Sequence, residues 1–215
     1  MNSSAEKRSP AETSTPPYIP FPELGEHFEN VPIYVRPDIE FYAKRMGFLP
    51  DTIRLYLHVP WVAEAMIRMN NALMRDERNA LSEETKYRLS MIASRDNECA
   101  YCTSHHVGVF KKKFGYDEKA VEDLLRMHEP ADERERLAQE FVHQASLDAR
   151  GVTDELRARM AKTFSPQEYM EIILLVGFWK MYNTMHNAMG VESEPPVAGF
   201  KKFVNIGPAA VAAAS

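Results

Sequence analysis

The sequence predicts an all-α fold, and three observations predict it. From about residue 38 apolar side chains return at intervals of three and four, strand-like alternation is nearly absent, and residues that start or stop helices bound the segments so marked. An apolar fraction of 45% over 215 residues is enough for a sizeable core in one domain.

Residues 1–22 come before that pattern and hold five of the fourteen prolines, Pro10, Pro16, Pro17, Pro20 and Pro22, among Ser, Thr and Glu. Such a composition buries too little apolar surface to offset the entropy of ordering it, so residues 1–37 read as an extended arm. An arm of this kind can gain order by lying across a neighbouring subunit. Helices are then expected near 38–46, 51–57, 60–74, 82–95, 98–114, 117–127, 131–149, 153–163 and 166–189. Ser82 ahead of Glu83 and Glu84, Asn97 ahead of Glu98, Asp117 with Glu118, and Ser165-Pro166 with Glu168 supply starts. Gly115 and Gly190 stand where helices should stop. The helical domain is expected over 38–192, with 193–215 as a tail.

The last long helix, SPQEYMEIILLVGFWKMYNTMHNAMGVE, is apolar almost all round. Cover on every side is then required, from the domain's own core or from another subunit, so a homo-oligomer is expected. Asn183 and His186 on this helix read as hydrogen-bonded core or interface groups, and Phe178, Trp179 and Tyr182 as packing.

A formal net charge of −5 gives no general attraction to nucleic acid or acidic membranes, and the longest basic run, Lys111-Lys112-Lys113, reads as a solvated helix face. The N-terminus lacks the apolar core of a signal peptide, and no stretch of about 18 apolar residues marks a membrane span. A soluble, cytoplasmic protein is the expectation.

Both cysteines fall in one short run, ECAYCTSH, residues 98–105, with a further histidine, His106, next. On a helix, Cys99, Cys102 and His106 share one face. With Asn97 as the cap, the sulfurs lie near the positive end of the helix, which favours thiolate, and His106 is placed to take a proton from Cys102. A thiolate attacks a peroxide oxygen or a disulfide sulfur, and a second thiol resolves the product. Cys102 is therefore expected to attack and Cys99 to resolve, with an external reductant and no metal or other cofactor. A structural zinc site would need a fourth ligand beyond Cys99, Cys102 and His106. His105 points a quarter turn away, as a surface histidine or a second pocket residue.

The run LSEETKYRLSMIASRDNECAYCTSHHVGVFKKKFG resembles the signature of carboxymuconolactone decarboxylase-like and alkylhydroperoxidase D-like (AhpD-like) proteins, and EIILLVGFWKMYNTMHNAMGVE resembles their closing helix. The likeness spans about residues 50–192. It implies an AhpD-like helical bundle assembled as trimers or hexamers, which acts on a small-molecule hydroperoxide or on a partner's disulfide. It also implies that Cys102 attacks peroxide, Cys99 resolves, and His106 relays protons with a glutamate twelve residues before the first cysteine. That position is Tyr87. A tyrosine, with an ordinary pKa near ~10, is a poor acceptor beside a carboxylate. Glu83 and Glu84 lie a turn earlier, and Glu98, a turn before Cys102, is the carboxylate expected within reach. The candidate catalytic set is Cys102, Cys99, His106, Glu98 and Tyr87. The alternative is the decarboxylase branch, acting on a small carboxylated lactone, which the His105-His106 doublet also fits. Arg88 and Arg95 are the candidate carboxylate clamp for that branch but read as surface helix residues. A non-catalytic oligomeric binding protein of the same fold is the remaining alternative.

Overall fold

The expected helices form, with most ends where the capping residues place them. The computed structural model describes residues 18–128 and 132–206, so the first 17 residues of the arm and the end of the tail, GPAAVAAAS, lie outside the described residues. The described residues contain helices and turns and no strand. They run α1 (Arg36–Met46), α2 (Asp51–Tyr56), α3 (Pro60–Arg75), α4 (Glu83–Asp96), α5 (Ala100–Val109), α6 (Glu118–Leu125), α7 (Glu133–Leu147), α8 (Asp154–Thr163), α9 (Pro166–Met189) and α10 (Pro195–Ala198).

Ser82, Asp117 and Ser165 each accept a backbone N–H in the first turn they cap, and Ser165 with Glu168 forms a full capping box. Gly115 and Gly190 take the left-handed conformation, with φ of 74° and 62°, that lets a chain leave a helix without a Cβ clash.

Helix α4 is the centre of the fold. Lys86, Tyr87 and every residue from Leu89 to Asp96 are buried, and the helix packs chiefly against α9, α7 and α5. Glu171, buried on α9, places its carboxylate on the N–H groups of Ala80 and Leu81 at 2.8 and 3.0 Å, so the approach to α4 is anchored to α9. Helix α9 buries Ile172, Leu175, Phe178, Trp179 and Tyr182, whereas Met170, Ile173, Leu174 and Met181 stay exposed on its outer side.

Both ends of the described residues return to this core. Val31 and Val35 are buried, the His58 ring hydrogen-bonds the Pro20 carbonyl at 2.7 Å, and Arg54 lies 4.0 Å over the Phe21 ring. The described part of the arm thus lies on its own helix α2. Beyond residue 192, Glu194, Val197, Phe203 and Ile206 are buried, and α10 lies against α5. Gly108 of α5 permits that approach, since a Cβ there would meet Val197 at 3.1 Å.

The expected helix over 98–114 differs at both ends. It starts at Ala100, and after Val109 it widens into a π turn over Phe110–Phe114. The late start has a backbone cause: the N–H of Glu98 bonds to the Arg95 carbonyl at 2.9 Å and the N–H of Cys99 to the Ser94 carbonyl at 3.0 Å. These are the two closing bonds of a Schellman turn, with Glu98 in the left-handed position at φ 53°. A non-glycine residue there bears a cost that glycine does not. Glu98→Gly is therefore expected to raise the unfolding free energy by about 1 kcal/mol, read as a higher urea midpoint at unchanged slope.

Candidate active site

The α4–α5 junction sets the cysteines. Cys99 closes α4 with its backbone and caps α5 with its side chain, Sγ accepting the Cys102 N–H at 3.3 Å. Cys99 and Cys102 are joined as a disulfide, with Cα atoms 5.3 Å apart. The expected cap, Asn97, is instead the C-cap of α4, because α4 continues to Asp96. Glu98 consequently sits exposed on the connecting turn, and it is absent from the groups that line the cavity beside the sulfurs.

That cavity, about 110 Å³, is walled mainly by aromatic rings, among them Tyr42, Tyr56, Tyr87, Trp179 and Tyr182. Cys102 lines it, while Cys99 is fully buried and does not. The histidine that meets the sulfur is His186. Its Nδ1 lies 3.1 Å from Cys102 Sγ, and its Nε2 hydrogen-bonds the Tyr56 hydroxyl. Held to Cys99 at the helix start, Cys102 faces α9, so the contact comes across the helix interface and not from the next turn of α5.

His106 lines the same cavity but turns to other neighbours. Its ring stands edge-on to Trp179 at 4.5 Å and to Tyr87 at 5.9 Å. Burial, then the nearby His105 and His186, push the His106 pKa down to about 3. Burial and then His105, opposed by Glu194, take His186 down to about 3 as well. Both imidazoles are neutral at pH 7 in this disulfide form. Tyr87, also at the cavity wall, accepts a hydrogen bond from Arg75 Nη2 at 2.9 Å.

A carboxylate does reach the site, from an element expected to be tail. Glu194, its side chain wholly buried, accepts from the Asp51 N–H and the Tyr101 hydroxyl, each at 2.6 Å, and pairs with His105 Nε2 at 2.7 Å. Burial pushes its carboxyl up, but His105, the Tyr101 hydroxyl and the Asp51 N–H together outweigh that and hold it below the usual range. His105 is thus a pocket residue, its ring 4.4 Å from Tyr101.

The two arginines considered as a clamp lie elsewhere, and they are not surface residues. Arg95 is buried, with Nε 2.7 Å from Asp96 and Nη2 3.1 Å from His143, and half-buried Arg88 bonds Tyr116 and Glu135. The arginine on the cavity wall is Arg75. His186, Tyr56, Arg75, Tyr101 and Glu194 are the site groups that sequence reasoning missed. Of these only His186 carried a signal, as a polar residue in an almost wholly apolar helix. The ligand atoms of Cys99, Cys102 and His186 lie within 4.8 Å of one another, so the reduced thiolates with Nδ1 would offer a metal three donors.

The two neutral imidazoles make stability depend on pH. Each folded pKa, about 3, lies below the ordinary value of 6.5, so the unfolded chain binds more protons between those values and stability falls as pH drops through that window. At pH 5 each histidine should cost roughly 2 kcal/mol relative to pH 7. Urea melts at the two pH values should show a smaller loss for His106→Gln than for the wild type, by about that amount.

Comparison with known proteins bears on the fold. Residues 60–144 match the carboxymuconolactone decarboxylase family model. The uncharacterized protein YnjA of Escherichia coli K12 is 24% identical over 167 residues, 77% of this chain and 91% of YnjA. The alkylhydroperoxidase AhpD core of a peroxidase-related protein from Ralstonia eutropha JMP134 superposes with a TM-score of 0.75 at 18% identity, over 86% of this chain and 96% of that one. A cysteine-to-alanine variant of the debrominase Bmp8, in complex with 2,3,4-tribromopyrrole, superposes with a TM-score of 0.72 at 20% identity, over 89% of this chain and all of that one (100%). With its cysteine pair, α4 and α5 inside the matched segment, the chain has the AhpD-like helical fold, and its residues 60–144 carry the carboxymuconolactone decarboxylase family pattern.

Proposed function

We propose that this protein is a thiol oxidoreductase that reduces a small electrophile in the aromatic cavity, a hydroperoxide or the disulfide of a partner. One observation carries the reading: Cys102 Sγ lines the cavity with His186 Nδ1 3.1 Å away, while Cys99 is buried behind it as its disulfide partner. With His186 Nε2–H donated to Tyr56, the Nδ1 lone pair takes the Cys102 proton, and the thiolate then stabilises the imidazolium it has made. The thiolate attacks one peroxide oxygen, the O–O bond breaks, and the departing alkoxide takes a proton to leave as an alcohol. Cys99 attacks the sulfenic sulfur of Cys102, expelling water and forming the disulfide. An external dithiol attacks Cys102, the sulfur at the cavity, and Cys99 leaves as a thiolate that the Cys102 N–H stabilises. A decarboxylase would leave this thiol pair without a role.

His106 and Tyr87 enter this reading as cavity walls, with proton transfer assigned to His186. Glu98 is given no part. Cytoplasmic residence fits a cycle that depends on reduced thiols, and no helix of the described residues is long and apolar enough to cross a membrane.

The test is direct. Reduced protein given one equivalent of hydroperoxide should lose two thiols and form the Cys99–Cys102 disulfide, seen by mass spectrometry. Cys102→Ser should abolish the fast step, Cys99→Ser should leave a sulfenic acid at Cys102, and His186→Gln should slow thiol oxidation about a hundredfold at pH 7. Full peroxide reduction by both cysteine variants would refute the reading. The debrominase neighbour favours a second electrophile, a brominated ring. In that reaction two thiols and a C–Br bond become a disulfide, a C–H bond and HBr, so bromide release separates the two.

We also propose that the protein is a homo-oligomer, with the outer side of α9, Met170, Ile173 and Leu174, covered together with Met69 of α3 by a second copy. Sedimentation at micromolar concentration should give a species heavier than the 24.6 kDa chain. A stable monomer would sink this.

A further inference from the structure

The cysteine pair and the histidine that meets it bring three metal-ligating atoms together. Cys99 Sγ, Cys102 Sγ and His186 Nδ1 all lie within 4.8 Å of one another, on residues only 0%, 3% and 6% exposed. With Zn–S near ~2.3 Å and Zn–N near ~2.0 Å, tetrahedral zinc sets such donors about 3.5–3.8 Å apart. The Cys102 Sγ to His186 Nδ1 distance, 3.1 Å, is within a few tenths of an ångström of that range. Breaking the S–S bond lets the sulfurs part toward it on the same backbone, whose Cα atoms are 5.3 Å apart.

The surroundings suit each donor to the role. With Nε2–H donated to the Tyr56 hydroxyl, the His186 ring turns its Nδ1 lone pair toward the sulfurs, and a histidine ligand is ordinarily held by such a partner. The Cys102 N–H reaches Cys99 Sγ at 3.3 Å and supports a thiolate there. Two thiolates side by side in a buried site repel each other and are costly to desolvate, whereas a divalent cation between them leaves a neutral cluster with the imidazole. Thiolate with imidazole selects zinc over magnesium or calcium, which take oxygen. Three protein ligands leave one coordination position, on the side of the cavity that Cys102 and His186 line.

We propose that the reduced protein binds one Zn²⁺ through Cys99, Cys102 and His186 and that the disulfide form does not. Loading releases the two thiol protons, and in the disulfide neither sulfur has a thiolate to offer. The ion therefore competes with the electrophile for Cys102. The proposal rests on the reading that the pair cycles between dithiol and disulfide, and not on which electrophile it reduces.

The test compares the two redox forms of the wild type at pH 7. One sample is reduced, freed of reductant and shown by titration to hold two thiols, and the other is left as the disulfide; each competes for Zn²⁺ with a chromophoric chelator. The reduced form should take up one ion per chain more than the disulfide form, a difference that removes any zinc held on surface histidines. Co²⁺ in place of zinc should give a sulfur-to-metal charge-transfer band and tetrahedral d–d bands in the reduced form alone. Tyr56→Phe should weaken zinc binding about tenfold to a hundredfold, the usual effect of losing a ligand's hydrogen-bond partner, and Cys99→Ser, Cys102→Ser or His186→Gln should weaken it further. His106→Gln should leave the affinity unchanged. Equal uptake by the two redox forms, no uptake by either, fewer than two thiols after reduction, or an affinity that survives His186→Gln would overturn the proposal. Should a variant fail to fold, the two wild-type forms and the Co²⁺ spectrum still decide. Where hydrogen peroxide oxidises the zinc-free thiols, one equivalent of Zn²⁺ should slow that oxidation, and an unchanged rate would also overturn the proposal. Zinc-free dithiol that resists peroxide defeats the peroxide reading alone, and absence of redox-dependent zinc uptake defeats this proposal alone.

Discussion

One backbone constraint organises the site: α4 must stop and α5 must start within a few residues, so Cys99 closes one helix and caps the next. Its N–H completes the Schellman turn on Ser94, and its sulfur accepts an N–H of the first turn of α5, that of Cys102. The two sulfurs meet because that double duty leaves Cys99 no other place to point. Glu98 takes the left-handed position in the same turn, which is why the carboxylate expected beside the thiols is outside, in solvent.

Around that junction the site is assembled from elements far apart in sequence. His186 comes from α9, Tyr56 from α2, Arg75 from the end of α3, and Glu194 from the segment that leads into α10. Burial governs their charges. It keeps both cavity imidazoles neutral in the disulfide form, the His186 ring beside Cys102 among them. Glu194 stays ionised despite burial because a backbone N–H, a phenol and an imidazole meet its two oxygens. On the cavity wall Tyr87 stands where the family resemblance implies a carboxylate, and its hydroxyl accepts a hydrogen bond from Arg75 Nη2 at 2.9 Å.

Much of the fold was legible in the sequence. Apolar spacing located the helices, and Ser82, Asp117, Ser165, Gly115 and Gly190 marked ends that the structure reproduces, since caps and left-handed stops are local requirements of the backbone. The break between α4 and α5 was legible, expected between 95 and 98 and found between Asp96 and Ala100, but the form of its turn was not. No glycine marks it, and Asn97 before Glu98 looks like a helix start. The buried end of the described chain was missed for a related reason: Val197, Phe203 and Ile206 are too sparse to show a period, and only contact with α5 gives them a core to join.

By itself the sequence determined the all-α class, the helix boundaries set by local caps, and the closeness of Cys99 to Cys102, all of which depend on residues a few positions apart. Only the tertiary structure decided which histidine meets the sulfur, where a carboxylate enters the site, and which arginine lines the cavity. His106 is four residues from Cys102, yet His186 makes the contact across 84 positions. Helical periodicity says which residues share a face. It cannot say what the packing of another helix brings against that face, and the chemistry of this site lies at that packing surface.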